Sequence, residues 1–228
     1  RDYYASRGLG DVYKRQADDL VRIITLLRDP VDGCPWDKVQ THTSIRMNFL
    51  EEAYEAVDAL DLDDPVLMCE ELGDVLMQVA FHTCMEQETG RFTWEQVCDG
   101  VCQKLIERHP NIFGTQPGYE GITDWDALKN KEKGRRTLAD DLESVPRAMP
   151  ALMRAAKLQK RAARHGAALQ GADAAALVDA AENLQTAQPA SAQAEQAVGK
   201  LLFAAANLAR QAGVDPEQAL QKANEAFC

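Results

Sequence analysis

"EEAYEAVDALDLDDPVLMCEELGDVL", Glu51 to Leu76, holds five glutamates and five aspartates in 26 residues, while most of the remainder is Leu, Val, Ala and Met. A solvated acidic segment has no need of so many apolar side chains, and a core segment does not normally carry so many carboxylates. Helical phase separates the two sets. From about Val66 to Glu88, residues Leu67, Met68, Cys69, Leu72, Val75, Leu76, Met77, Val79, Ala80, Phe81, Cys84 and Met85 cover nearly the whole circumference of a helix. A helix that is apolar nearly all round is buried. Its polar residues Glu71, Asp74, Gln78 and His82 fall in one narrow stripe. Glu71 and Asp74 are therefore expected in a partly buried setting, where carboxylates are costly unless paired, protonated or bound to a cation.

Upstream, a helix from near Thr41 to about Leu60 has an apolar stripe of Leu50, Ala53, Tyr54, Val57 and Leu60. Glu52 and Glu55, three apart, are neighbours on another face. The "DLDDP" turn between the helices is short, so they are expected to form an antiparallel hairpin. Glu52 and Glu55 then face Glu71 and Asp74. No Lys or Arg on either helix is spaced to neutralise four carboxylates, whereas a divalent cation is suited to it. Oxygen-only ligands favour Mg2+ or Mn2+ over zinc. A di-iron bundle requires Glu-x-x-His pairs, which are missing here. His82 reads as a satisfied core or rim histidine rather than a ligand.

Further out, Pro30, Gly33 and Pro35 end a first helix that begins near Ala17. A fourth helix starts after Thr93, a plausible N-cap, and stops before Pro110. Strand signals are almost absent, so the chain reads as all-α. Residues 1–16 have no clear period and are set apart as a flank that is disordered or non-native. A first module is expected over 17–113, and a turn-rich linker with one short helix over 114–149. A second module over 150–228 is rich in Ala and Gln, so loose packing is expected there. Gly73 to Val97 resembles Gly199 to Ala219, which suggests two related helical modules.

The flanking text is specific: "RDPVDGCPWDKVQTH" (28–42), "RHPNIFG" (108–114) and "VPRAMPALMRAAKLQKRAA" (145–163). With "EEAYE" and "ELGD", they make the chain similar to the MazG family of nucleoside triphosphate pyrophosphohydrolases over about residues 18–228. The resemblance implies an all-α helical bundle, a homodimer, and hydrolysis of nucleoside triphosphates to monophosphate and pyrophosphate. It implies Mg2+, replaceable by Mn2+, held by Glu52, Glu55, Glu71 and Asp74. Glu51 is then a base for the attacking water or a residue behind the ligands. Lys38, Lys104 and Arg108 are candidates for the triphosphate. Trp36 is a candidate to stack on the base, or a buried anchor for its turn.

The second module departs from the family pattern. "DAAENLQ" leaves Glu182 and Gln185 where the first acidic motif belongs, and "EQAVGK" puts Ala197 in the place of Glu71 and Lys200 in that of Asp74. A protonated amine repels a cation, so this module is expected to be metal-free and structural.

The totals agree. A net charge of −11 argues against a nucleic-acid or anionic-membrane surface. No apolar run approaches the roughly 18 residues of a membrane span. Six cysteines without paired spacing fit a reducing cytoplasm rather than zinc or disulfides. The rival readings are a catalytically silent scaffold of the same fold and a hydrolase restricted to one non-standard nucleotide.

Overall fold

The computed structural model describes residues 15–110, 112–114 and 125–227. The expected flank therefore lies outside the described residues, except for Arg15 and Gln16. Among the described residues there are ten α-helices, one 3-10 turn and no strand. The chain divides into two compact units, residues 1–121 and 122–228.

The first unit contains α1 (Ala17–Leu27), the 3-10 turn (Asp37–Val39), α2 (His42–Leu62), α3 (Pro65–Glu88) and α4 (Trp94–Arg108). Thr41 and Thr93 cap α2 and α4 by accepting from the backbone N–H of Ser44 and Gln96. Such caps contribute about 1 kcal/mol each. The turn between α2 and α3 is two residues long. Asp63 adopts the left-handed conformation (φ 53°), and the Asp64 carboxylate accepts from Val66 and Leu67. Pro65 then opens α3 with its φ already helical. So tight a reversal lays α2 against α3.

Ile24, Ile45, Ala80, Phe81, Cys84, Met85 and Trp94 form the core, so α1 and the start of α4 cover the C-terminal half of α3. Burying a side chain such as Phe81 or Met85 contributes about 1.5–3 kcal/mol. The expectation that α3 is buried all along its length fails in its N-terminal half, where Leu72 and Leu76 are 53% and 40% exposed. Part of the stripe expected on α2 also faces outward: Tyr54, Val57 and Leu60 are exposed and Leu50 and Ala53 half-buried, while Ala56 and Ala59 are buried. Alanines let helices approach closely, and the larger side chains are left on the outer face.

The segment after α1 is held by one buried arginine. Arg28 donates from Nε and Nη2 to the Glu88 carboxylate at 2.6 and 2.9 Å. Its Nη1 donates to the carbonyls of Asp37 and Gln40 at 2.7 and 3.2 Å. Gly33 is obligatory in this turn, because a Cβ there would lie 2.3 Å from the Asp29 carbonyl oxygen.

The second unit contains α5 (Trp125–Glu132), α6 (Leu138–Glu143), α7 (Ala151–Arg164), α8 (Ala174–Thr186), α9 (Ala192–Gln211) and α10 (Pro216–Phe227). Two short helices, α5 and α6, thus occupy the stretch expected to hold one. The buried positions are mostly small, including Ala172, Ala180, Ala197, Ala204 and Ala206. Two amides tie them: Gln159 donates to the Phe203 carbonyl and Asn207 to the Ala172 carbonyl, each at 2.7 Å. Asp141, 1% exposed, faces Nη1 of Arg161 at 3.1 Å, Nη2 of Arg164 at 2.7 Å and Nε2 of His165 at 3.1 Å. A groove of about 1170 Å3 remains open on α8 and α9, with Asp179, Glu195 and Lys200 among its lining residues.

Candidate metal centre

Spacing on α2 puts Glu52 and Glu55 one turn apart, and the hairpin brings Glu71 of α3 to them. Carboxylate oxygens of Glu52, Glu55 and Glu71 lie within 4.8 Å of one another. No other trio of ligand-bearing side chains gathers this closely among the described residues. Asp74, half-buried one turn further along α3, stands outside that trio. It is still near enough for its charge to act on Glu71. Glu51 is exposed beside Glu52, and its charge acts on Glu55.

The crowding appears in the ionisation of the group. Loss of surrounding water, then the charges of Glu71, Glu52 and Glu51, raise the Glu55 carboxyl above its ordinary value, and a hydrogen bond shared with Glu52 adds to this. Glu71 is raised by loss of water, then by Glu70, Asp74 and Glu52. Glu55 remains exposed. Solvent therefore screens these effects, and their sign carries the argument. Three carboxylates with oxygen donors only, held against their own repulsion, fit a hard divalent cation of the Mg2+ or Mn2+ kind. They do not fit zinc, which prefers Cys and His.

The polar stripe of α3 continues away from the trio. Gln78, 7% exposed, donates from Nε2 to a Glu52 carboxylate oxygen at 3.3 Å. His82 lies next in the stripe, its Nδ1 2.7 Å from Nδ1 of His42, with the rings stacked 5.0 Å apart. A single proton fits between those nitrogens, so one imidazole accepts there in its neutral form. Burial, then the charge of His42, lower the pKa of His82. Glu86, buried, accepts from Nη2 of Arg91 at 2.6 Å and contacts Nε2 of His42. His82 thus has a side-chain partner of its own, as a rim histidine should. That partner lies 40 positions away, and no local pattern announces it. Gln78 was visible in the stripe, but its bond to Glu52 was not.

The other candidates sit on other elements. Trp36, at the start of the 3-10 turn, is 57% exposed, which rules out the buried-anchor reading. Lys38 donates from Nζ to the Pro30 carbonyl at 3.3 Å. Lys104 is exposed on α4, and Arg108 is half-buried in its last turn. In the second unit Glu182 and Gln185 are exposed on α8, Ala197 is buried in α9, and Lys200 lines the groove.

Residues 40–113 match the family model described as the MazG nucleotide pyrophosphohydrolase domain. Along 223 residues the chain is 41% identical to a nucleoside triphosphate pyrophosphohydrolase of Escherichia coli, covering 93% of this chain and 84% of that protein. It is 39% identical over 212 residues to a "Nucleoside triphosphate pyrophosphohydrolase/pyrophosphatase MazG" of Thermotoga maritima, covering 92% and 82%. A nucleoside triphosphate pyrophosphohydrolase of Mycobacterium tuberculosis is 34% identical over 156 residues, covering 67% of this chain and 47% of that protein. The match takes in the hairpin that carries all the acidic candidates, and the longer alignments run through both units. The chain belongs to the MazG family.

Proposed function

We propose that the protein hydrolyses nucleoside triphosphates to the monophosphate and pyrophosphate, with a divalent cation held in the first unit by Glu52, Glu55, Glu71 and Asp74. The convergence of Glu52, Glu55 and Glu71 from two helices is the observation that carries this reading. Water must attack the α-phosphorus while charge develops on the departing pyrophosphate. A bound Mg2+ would neutralise that charge and make a water more acidic. The chain's own part is to gather anionic oxygens at one point and to place Glu51 beside them, where it accepts the proton of the attacking water. Lys38, Lys104 and Arg108 supply positive charge for the phosphates, and the exposed Trp36 ring offers a face for the base.

In the second unit the same positions hold Ala197 and Lys200, so one cation site per chain is assigned. The apolar outer face of α2, α3 and α4 supports a homodimer, since Val57, Leu60, Leu72, Val101 and Leu105 are all exposed in the single chain. Among the described residues no helix is long and apolar enough to cross a membrane. The thiols of Cys34, Cys69, Cys84, Cys98 and Cys102 are free, which supports a cytoplasmic location.

The test is pyrophosphate release from a mixed nucleotide pool with and without Mg2+. Glu71→Gln and Asp74→Asn are each expected to lose about 100-fold or more in kcat, a loss of about 2.7 kcal/mol or more of transition-state stabilisation, with helical circular dichroism retained. Normal turnover in both variants removes the site from catalysis. No Mg2+-dependent pyrophosphate release from the unmodified chain leaves a silent scaffold.

A further inference from the structure

We infer that Gln78 is a positioning residue for Glu52: its amide holds that carboxylate in the orientation in which it meets a divalent cation. The inference rests on the cation reading above and adds a residue to it. Gln78 follows Asp74 by one turn on the polar stripe of α3 and is more than nine-tenths buried. Leu or Met would suit such a position by size and burial, and a buried amide is costly unless its hydrogen bonds are made. The bond it makes is to Glu52, 26 positions away on α2, at 3.3 Å.

The chemistry of the pair is directional. An ionised carboxylate only accepts, and an amide nitrogen only donates. The contact engages Oε1 of Glu52 and orients a carboxylate that keeps lone pairs for a cation. The amide is also neutral. A Lys or Arg at this point would oppose the cation, and a Glu would add to the repulsion already present among Glu52, Glu55 and Glu71. Partners behind metal ligands typically contribute about 10–100-fold in metal affinity.

The experiment is a Mn2+ titration followed by electron paramagnetic resonance on the full chain. Gln78→Met keeps the volume and removes the donor. It is expected to bind Mn2+ about tenfold or more weakly than the unmodified protein. In a Glu52→Gln background the same change is expected to cost nothing further, because the group it positions is already altered. A merely structural role lowers affinity equally in both backgrounds and lowers the melting temperature with it. Gln78→Asn, which keeps the amide but withdraws it by one methylene, is expected to show the same loss, and it carries the test should the Met variant not fold. Equal affinity in the unmodified, Met and Asn proteins, or an equal loss in both backgrounds, overturns the inference while leaving the cation site in place. Absence of Mn2+ binding in the unmodified protein overturns the cation reading, and this inference with it.

Discussion

Glu71, a proposed cation ligand, is crowded by other carboxylates. Its folded-state pKa is raised above the ordinary value of 4.5, so the folded, cation-free protein takes up this proton at a higher pH than the unfolded chain does. The resulting stabilisation is fully present below 4.5 and is lost as pH rises through the folded value. At neutral pH the ionised Glu71 therefore burdens the fold. In chelator at pH near 7, Glu71→Gln should melt above the unmodified protein, and the gap should close as pH is lowered toward 4.5. His82, whose pKa is lowered, weakens both proteins alike as pH falls, so it cancels in the comparison. Saturating Mn2+ should reverse the order. Melting curves at stepped pH decide the matter; a variant that melts lower than the unmodified protein in chelator at neutral pH would show that the cluster is not under strain. At this scale the sequence was legible where the relation was local. Glu52 with Glu55 and Glu71 with Asp74 are one turn apart on their helices, whereas Gln78 with Glu52 and His42 with His82 meet only through packing.

Among elements, the α2–α3 hairpin could be read in advance from the short DLDDP turn, and the structure supplies its details: a left-handed Asp63, a capping Asp64 and Pro65 at the first helical position. The facing of α2 was misread. Hydrophobicity alone favoured Tyr54, Val57 and Leu60 for the interior, but close approach selected Ala56 and Ala59. In the second unit the contact of α6 with α7 depends on Asp141. Burial by itself raises the pKa of that carboxyl. Hydrogen bonds from Arg164, Asn130 and His165, with the charge of Arg161, outweigh burial and hold it below its ordinary 3.8. Its contribution is present above that value and lost as pH falls through the lowered one. Asp141→Ala removes the buried carboxylate that Arg161, Arg164 and His165 share and should cost about 3–5 kcal/mol, as breaking a buried ion pair does. Urea unfolding of the full chain measures this, and a loss below about 1 kcal/mol, the range of surface ion pairs, would show that the contact is superficial.

At the scale of the whole molecule, the all-α character was legible from the missing strand pattern, which the described residues bear out. The uneven cover of α3 was not, because periodicity marks which residues are apolar and not how far the neighbouring helices reach along them. Tyr54, Val57 and Leu60 of α2, with Leu72 and Leu76 of α3, are exposed apolar side chains in the single chain, the kind of surface that the proposed homodimer would cover. Sedimentation at micromolar concentration should give a dimer, and Val57→Glu should shift it toward monomer with the helical content unchanged. A fully active monomer in the unmodified protein would remove the dimer from the account.

The two ends of α3 live under different regimes. Its C-terminal half carries the core residues Ala80, Phe81, Cys84 and Met85, while around Glu71 and Asp74 the side chains of Leu72 and Leu76 are exposed in the single chain. A continuous helix anchored at one end opens from the other, so its amide protons should exchange along a gradient, fastest near the carboxylates. In the cation-free single chain, the end where hydrolysis is proposed is thus expected to open first. An ion gripped by both helices would then be a tie-rod as well as a reagent, closing the hairpin only while it is bound.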